Sequence, residues 1–475
     1  MRVLAIDQGT SATKAVVVEH DGSPGAVVEV PVHVLVGTDG SVEVDPEELW
    51  RSVVTAGQLA LNNAGGTVDA IGLGNQGETV LAWDRPTGAP LSAGIVWHDR
   101  RAMSICELLA ASGWSERLSE LTGLELNPYF SAPKMAWLRP QVGLATITTT
   151  DTWLVHRLCG AFVTDAATAS RSLLLGLDDV AWNSEACDAF GVAVADLPTV
   201  VPNSGVVGTT GVFGGELPVT GLCVDQQAAL FAESCFAAGE AKCTYGTGAF
   251  LLASTGALPT RSTNGLVGCV AWQIGDDTTW CLDGQVYTAG SAVTWLQQIG
   301  VIAEPADLDR LGGAVASPRR TSFIPGLAGL AAPFWRPDAR GAFTGLDLAT
   351  SREELVRAVI EGLAASVAFL ARAAAADLGA PLKRLRVDGG LTRSRVLLQT
   401  QADLLQVPIE VYPSPHATAL GVAAFARLGA GAAPTPTDAV GIWHPTMTFE
   451  PSVSADEAAE RMGRWHAAAQ ATMTL

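Results

Sequence analysis

The chain has 475 residues, 48% hydrophobic and 16% charged, which excludes disorder and supplies two or three cores if a domain takes roughly 150 residues. Forty-eight acidic residues against 29 basic ones give a net charge of −19, which argues against a surface built for nucleic acid or an anionic membrane. The eight cysteines form no Cys-x-x-Cys pair, no basic-then-apolar leader follows Met1, and no unbroken apolar run is long enough to span a bilayer, so a cytoplasmic protein without membrane insertion is expected.

Residues 3–6 predict a strand, Asp7-Gln8-Gly9-Thr10-Ser11 a tight turn and 13–18 a second strand, together a hairpin. Helical periodicity over 46–61 begins with Asp45 as cap and Pro46 at the first helical position. A buried strand at 68–72 runs into Gly74-Asn75-Gln76-Gly77-Glu78, and 79–83 predicts another before the turn at Asp84-Arg85-Pro86. Residues 205–215 are Gly-rich and read as a connection. An apolar strand then delivers Asp225 to the start of an apolar helix. Residues 242–245, Gly246-Thr247-Gly248 and 249–254 repeat the opening pattern of strand, Gly/Thr turn and strand. A long helix covers 352–377, strand 385–387 delivers Asp388-Gly389-Gly390, and a further helix starts near Ser394. The recurring hairpin predicts two domains of related topology, and the mixture of strands and helices makes the class α/β.

A lone carboxylate at a strand-to-helix junction is held rigidly and partly dried. That suits Asp225 to general-base work, and it suits it equally to an N-cap. Asp7 offers a carboxylate for Mg²⁺, and the small-residue turns after Asp7 and at 246–248 expose N–H groups to phosphate. Asp388-Gly389-Gly390 lets backbone approach a nucleotide. Each piece alone is also ordinary turn chemistry. Neither Gly-x-x-x-x-Gly-Lys-Ser/Thr nor Gly-x-Gly-x-x-Gly occurs, which removes two common nucleotide folds.

In this order the pieces resemble the FGGY carbohydrate kinases, and among them the glycerol kinases most. The resemblance covers nearly the whole chain. It rests on Asp7-Gln-Gly-Thr10, Trp83-Asp84, Ile95-Val-Trp97-His-Asp99-Arg100-Arg101, Asn127-Pro-Tyr129-Phe-Ser, and Thr164-Asp165 with Ala169-Ser170-Arg171. It continues through Asp225-Gln-Gln227, Thr244-Tyr-Gly246-Thr247-Gly248 and Phe334-Trp335. The most specific part is Gly341-Ala-Phe343-Thr-Gly345-Leu346 followed, after seven residues, by Glu354-Leu355-Val-Arg-Ala358-Val-Ile-Glu361-Gly362. That is the spacing of the family's C-terminal signature.

The resemblance implies two ribonuclease-H-like domains, as in the actin and hexokinase superfamily, flanking a deep cleft. The first (1–235) would serve the acceptor, the second (240–430) the nucleotide, with an extension (431–475) packed on the second. It implies ATP-dependent phosphoryl transfer to a hydroxyl of a small polyol or sugar, glycerol foremost, with Asp225 as general base. Asp7 and Asp225 would hold Mg²⁺. Thr10, Ser11, Lys14, Gly246, Thr247, Gly290, Gly389, Gly390 and Ser394 would hold ATP. Glu78, Trp97, Tyr129, Asp225, Gln226 and Phe250 would grip the acceptor, although Trp97 and Phe250 also read as core. A homodimer or homotetramer would fit the family.

Gly77 stands where glycerol kinases usually carry Arg. Losing that charged hydrogen bond would cost roughly 1.5–3 kcal/mol toward glycerol, and the vacated space makes a four- or five-carbon polyol or ketose the alternative acceptor. Lys14 replaces a common Arg, and Glu216 lies near where inhibitable relatives place an Arg, so fructose bisphosphate is not expected to inhibit. A non-catalytic sugar sensor would need a damaged Asp225 or an added basic helix pair, and the sequence has neither. An actin- or chaperone-like ATPase would not need the polar and aromatic set from Glu78 to Tyr129.

Overall fold

The structure, a computed structural model, describes residues 1–38, 40–317 and 320–473. Its spine is a sheet of thirteen strands: β1 (Val3–Gln8), β2 (Ala12–Val18), β3 (Pro24–Pro31), β4 (Ala70–Asn75), β5 (Ser204–Thr210), β6 (Leu217–Val224), β7 (Ala241–Tyr245), β8 (Ala249–Gly256), β9 (Val267–Ile274), β10 (Asp277–Val286), β11 (Leu385–Asp388), β12 (Ile409–Val411) and β13 (Thr448–Phe449). They lie in the order β13-β12-β11-β7-β8-β10-β9-β5-β6-β4-β1-β2-β3.

One unit occurs twice in that order, β3-β2-β1-β4-β6 and β10-β8-β7-β11-β12. In each, an antiparallel hairpin pairs its first strand in parallel with later strands. Within the sheet, the halves pair through one residue pair, Ser204 with Ile274. This duplication gives the two-domain α/β architecture. Parallel strands end at the same sheet edge, where open α/β sheets place their ligands. The register therefore gathers the chemistry: Asp7 lies opposite Gly74, Val224 opposite Asn75, and Thr244 opposite Asp388.

Local chemistry sets the helices. Asp45 caps Pro46–Ala64 by accepting from the Glu47 N–H, with Pro46 in the first turn. Ser351 caps Arg352–Leu378, and Gly379 ends it in the left-handed conformation. Among the described residues, that helix is the one long and apolar enough to cross a membrane, and it is buried in the second core instead. The helix Ala455–Thr472 covers the same core, where Trp465 donates to the carbonyl of Phe323.

The helix Ala417–Gly429 crosses over to the first half, although it closes the span 240–430. A Cβ at Gly72 would lie 2.6 Å from Val422 O, one at Gly221 2.5 Å from Ala426 N, and one at Gly421 would overlap Ala228 O. The three glycines let this helix lie directly on the sheet and on the helix Asp225–Ala232. A smaller sheet beside the first half contains Val80–Asp84 and Gly94–Ile95, whose flanks carry Glu78 and Trp97.

Two expectations shift. The strand expected at 68–72 runs over Ala70–Asn75. The connection expected at 205–215 instead contributes β5, leaving only 211–216 as a turn into β6. Gly208 serves packing there, because a Cβ would lie 2.7 Å from Cys159 Sγ. All eight cysteines are free thiols.

Candidate active site

Val224 occupies the N-cap position of Asp225–Ala232 without a side-chain cap bond, and Asp225 is the first helical residue. The capping role open to Asp225 in the sequence is therefore not the one it has. Its Oδ1 accepts from the N–H of Gln226 at 2.7 Å. Burial, and then the charge of Asp7, push its pKa up to about 6, with Lys242 opposing. Burial also takes Asp7 up to about 6, against the pull of Lys14 and helped by Glu29 and Asp388. Asp388 is raised by burial too, and its Oδ1 is buried without a hydrogen-bond partner. Carboxylates at the ends of β6 and β11 thus each act on Asp7 at the end of β1, with Lys14 and Lys242 opposing.

Across the edge, three aromatic rings form a box. Tyr129 and Phe250 meet Trp97 edge-on at centroid distances of 5.5 and 6.1 Å. Both Trp97 and Phe250 are only partly buried; Trp97 packs on two cores of the first half and also faces the cavity that opens beside the box. The indole N–H of Trp97 donates to Thr10 Oγ1 at 2.9 Å, and that hydroxyl donates to Gln76 Oε1 at 3.1 Å. This chain ties the first Gly/Thr turn to the aromatic wall.

Glu78 has φ +57°, a left-handed conformation costing a non-glycine residue about 1–3 kcal/mol and characteristic of functional positions. Arg171 holds it, with Nε 2.7 Å from Glu78 Oε1 and Nη1 2.7 Å from Asp283 Oδ2 on β10. The same guanidinium lies 5.7 Å from the Tyr129 ring centroid. Burial still takes Glu78 up to about 7, although Arg171 opposes. At Gly77 a Cβ would lie 3.1 Å from Val224 Cγ2, so Val224 has closed part of the space expected there. A cavity of about 470 Å³ opens beside the box, with Trp97, Tyr129, Tyr287, Trp295, Leu330 and Trp335 among its walls.

On the second half, Gly246, Thr247, Gly290 and Gly390 line one open pocket of about 590 Å³ with Tyr245, Thr294 and Gln298. Gly290 N donates to Gly246 O at 3.0 Å, and a Cβ on Gly290 would lie 2.6 Å from that oxygen. Gly389, at φ +94°, lies against the backbone of Tyr245, whereas a Cβ on Gly390 would meet nothing within 4 Å. Ser394 lies outside this lining: it caps the helix Arg395–Leu405 and donates to Asp309. Thr10, Ser11 and Lys14 belong to the opposite hairpin and do not line the pocket, and Lys14 Nζ sits 3.8 Å from Glu29. No group of three or more metal-ligating side chains forms among the described residues.

Three residues central to this geometry had no role assigned from the sequence. Arg171, itself anchored by Asp283, holds Glu78, and buried Lys242 bonds Gln226. The signal for Lys242 is a lone cation inside the apolar run Ala241-Lys-Cys, and Arg171 stands in the motif Ala169-Ser170-Arg171, but nothing in the sequence joins it to Glu78 or to Asp283, 112 positions away.

The chain matches the N-terminal domain of the FGGY family of carbohydrate kinases over residues 2–232 and the C-terminal domain over 241–430. It is 39% identical to a glycerol kinase of Bordetella parapertussis, over 98% of this chain and 96% of that protein. It is 40% identical to a glycerol kinase of Thermus brockianus, over 94% of each. Among solved structures it resembles Plasmodium falciparum glycerol kinase with ADP, at 30% identity and TM-score 0.92, covering 99% of this chain and 98% of that one. A Lactobacillus acidophilus xylulose kinase shares the fold at TM-score 0.90 and 22% identity, over 99% and 97% of the two chains.

Proposed function

The chain belongs to the FGGY family of carbohydrate kinases, and from that premise we propose that it transfers the γ-phosphoryl group of ATP to a terminal hydroxyl of glycerol. The observation that carries the reading is the place of Asp225, buried at the start of its helix and within the field of Asp7, Lys242 and Glu78. The glycerol kinases similar to it along nearly its whole length support glycerol as acceptor.

Asp225 takes the proton of the attacking hydroxyl as that oxygen bonds to the γ-phosphorus and the bond to the ADP oxygen breaks. A carboxyl near 6 is ionised at neutral pH yet more basic than an ordinary aspartate, which suits this task. Glu78 and the Gln226 amide hold the remaining hydroxyls, and Trp97 and Phe250 flank the carbon chain. Gly246, Thr247, Gly290 and Gly390 receive the nucleotide along their backbone. Little covalent work is asked of the protein, because phosphoryl transfer depends mainly on positioning and charge neutralisation.

The site fits Mg²⁺. Asp7 and Asp225, two buried carboxylates in each other's field, are hard oxygen donors, and this ion takes one or two carboxylates alongside water and phosphate. When bound, it would neutralise charge on the β- and γ-phosphates.

A second reading, a four- or five-carbon polyol or ketose as acceptor, draws on the cavity of about 470 Å³ beside Trp97 and Tyr129, a size at which pockets hold larger ligands than glycerol. A coupled ADP-release assay separates the two. Its panel is glycerol, erythritol, threitol, ribitol, xylitol, dihydroxyacetone, ribulose and xylulose. The highest kcat/KM with glycerol supports the first reading, and a clear win for a longer acceptor replaces it with the second.

A further inference from the structure

Lys242 lies within β7 with no exposed surface. Its Nζ donates to Gln226 Oε1 at 2.6 Å and to Thr244 Oγ1 at 2.7 Å. Around it stand Asp225, Glu233, Asp283 and Asp388, each of which it favours in the charged form. An ammonium buried this deeply is costly unless compensated, and the two hydrogen bonds together with the field of the four carboxylates offset that cost.

We propose that Lys242 is a positioning residue that fixes which end of the Gln226 amide faces the acceptor. The inference rests on the reading of Gln226 as an acceptor ligand. An ammonium has three N–H donors and no lone pair, whereas an amide has an accepting oxygen at one end and a donating NH₂ at the other. Lys242 can therefore bond only the oxygen, which leaves Nε2 directed to the other side.

The result is a site with a fixed polarity. Asp225, ionised at neutral pH, can only accept, as can Glu78 once its proton is lost above about 7, and Gln226 can only donate. An acceptor hydroxyl that gives its proton to Asp225 can thus receive a hydrogen bond from Gln226 at the same time. With the amide reversed, three acceptors would face the substrate and one hydroxyl lone pair would go unmatched, a loss of about one hydrogen bond.

The test is steady-state kinetics of Gln226→Ala, Gln226→Glu, Lys242→Met and the double variant Gln226→Ala/Lys242→Met, with KM for acceptor and for ATP measured separately. Each single variant is expected to raise acceptor KM about tenfold, the effect of one lost hydrogen bond, and to leave ATP KM within about twofold. The double variant is expected to be no worse than Gln226→Ala, because the lysine acts through the glutamine. Gln226→Glu keeps the shape of the side chain and its bond to Lys242, so it tests the polarity even where Lys242→Met does not fold. A wild-type acceptor KM in Gln226→Glu would overturn the proposal, since an oxygen would then be serving the acceptor. Multiplicative effects of Gln226→Ala and Lys242→Met would overturn it as well. If wild-type protein prefers another acceptor to glycerol, the acceptor assignment fails instead, and the same four variants are read with the preferred compound.

Discussion

Replacing Arg171 with methionine removes a cation bonded at 2.7 Å to both Glu78 and Asp283. Arg171 is 3% exposed, and Glu78 and Asp283 are each 4% exposed, so water cannot screen what is left behind. Breaking a buried pair by deleting one partner typically costs about 3–5 kcal/mol. Two carboxylates lose a partner here, but either can escape by taking up a proton. Glu78 already titrates at about 7, well above its ordinary 4.5, so its protonation favours the fold. That stabilisation is complete below about 4.5 and is lost as pH rises through about 7. Without Arg171 the folded-state pKa rises further, so the loss continues to higher pH. Arg171→Met is therefore expected to lose about 3 kcal/mol near pH 6 and about 1 kcal/mol more by pH 8, for one additional group held neutral over roughly a unit. Urea denaturation of both proteins at the two pH values measures this, with acceptor KM as a second readout because a protonated Glu78 no longer only accepts. A loss below about 1 kcal/mol, or one identical at both pH values, would refute the clamp.

Asp225→Asn is expected to lower kcat by about 10²–10⁴ while ATP KM changes little, and rapid-quench kinetics would locate the loss in the chemical step. Because the base must be deprotonated and titrates at about 6, kcat/KM is expected to fall toward tenfold per pH unit below that value. A profile flat to about pH 4.5 would contradict the assignment. Gly389→Ala forces a Cβ into the Tyr245 backbone at φ +94°, so thermal melting should show a large destabilisation. Gly390→Val meets open space and should leave the melting midpoint unchanged while raising ATP KM. Fructose bisphosphate at millimolar concentration should not inhibit, since exposed Glu216 puts a negative charge near where the resemblance leads one to expect inhibitable relatives to carry an Arg.

The features written in short segments were readable before the fold. The two hairpins follow from strand-forming runs broken by Gly/Thr turns, and the cap at Asp45 from local hydrogen bonding. Asp225 could be placed at a strand–helix junction, but not at the first helical position instead of the cap, a difference of one residue in backbone dihedrals. What the sequence hid depends on sheet order. Arg171 reaches Glu78 and Asp283 because their segments converge where the two halves meet, and no periodicity encodes that meeting. Gly208 misled because glycine serves close packing against Cys159 as readily as it serves a turn. Ser394, expected at the nucleotide, is engaged as a cap.

The most direct test of the account is ADP release from Mg-ATP with and without glycerol, in wild-type protein and Asp225→Asn, with the product followed by phosphorus NMR. Wild-type protein is expected to release ADP in a glycerol-dependent way with an equal amount of glycerol 3-phosphate, and the variant to do neither at a comparable rate. ADP release independent of any polyol, or undiminished phosphorylation by Asp225→Asn, would contradict it.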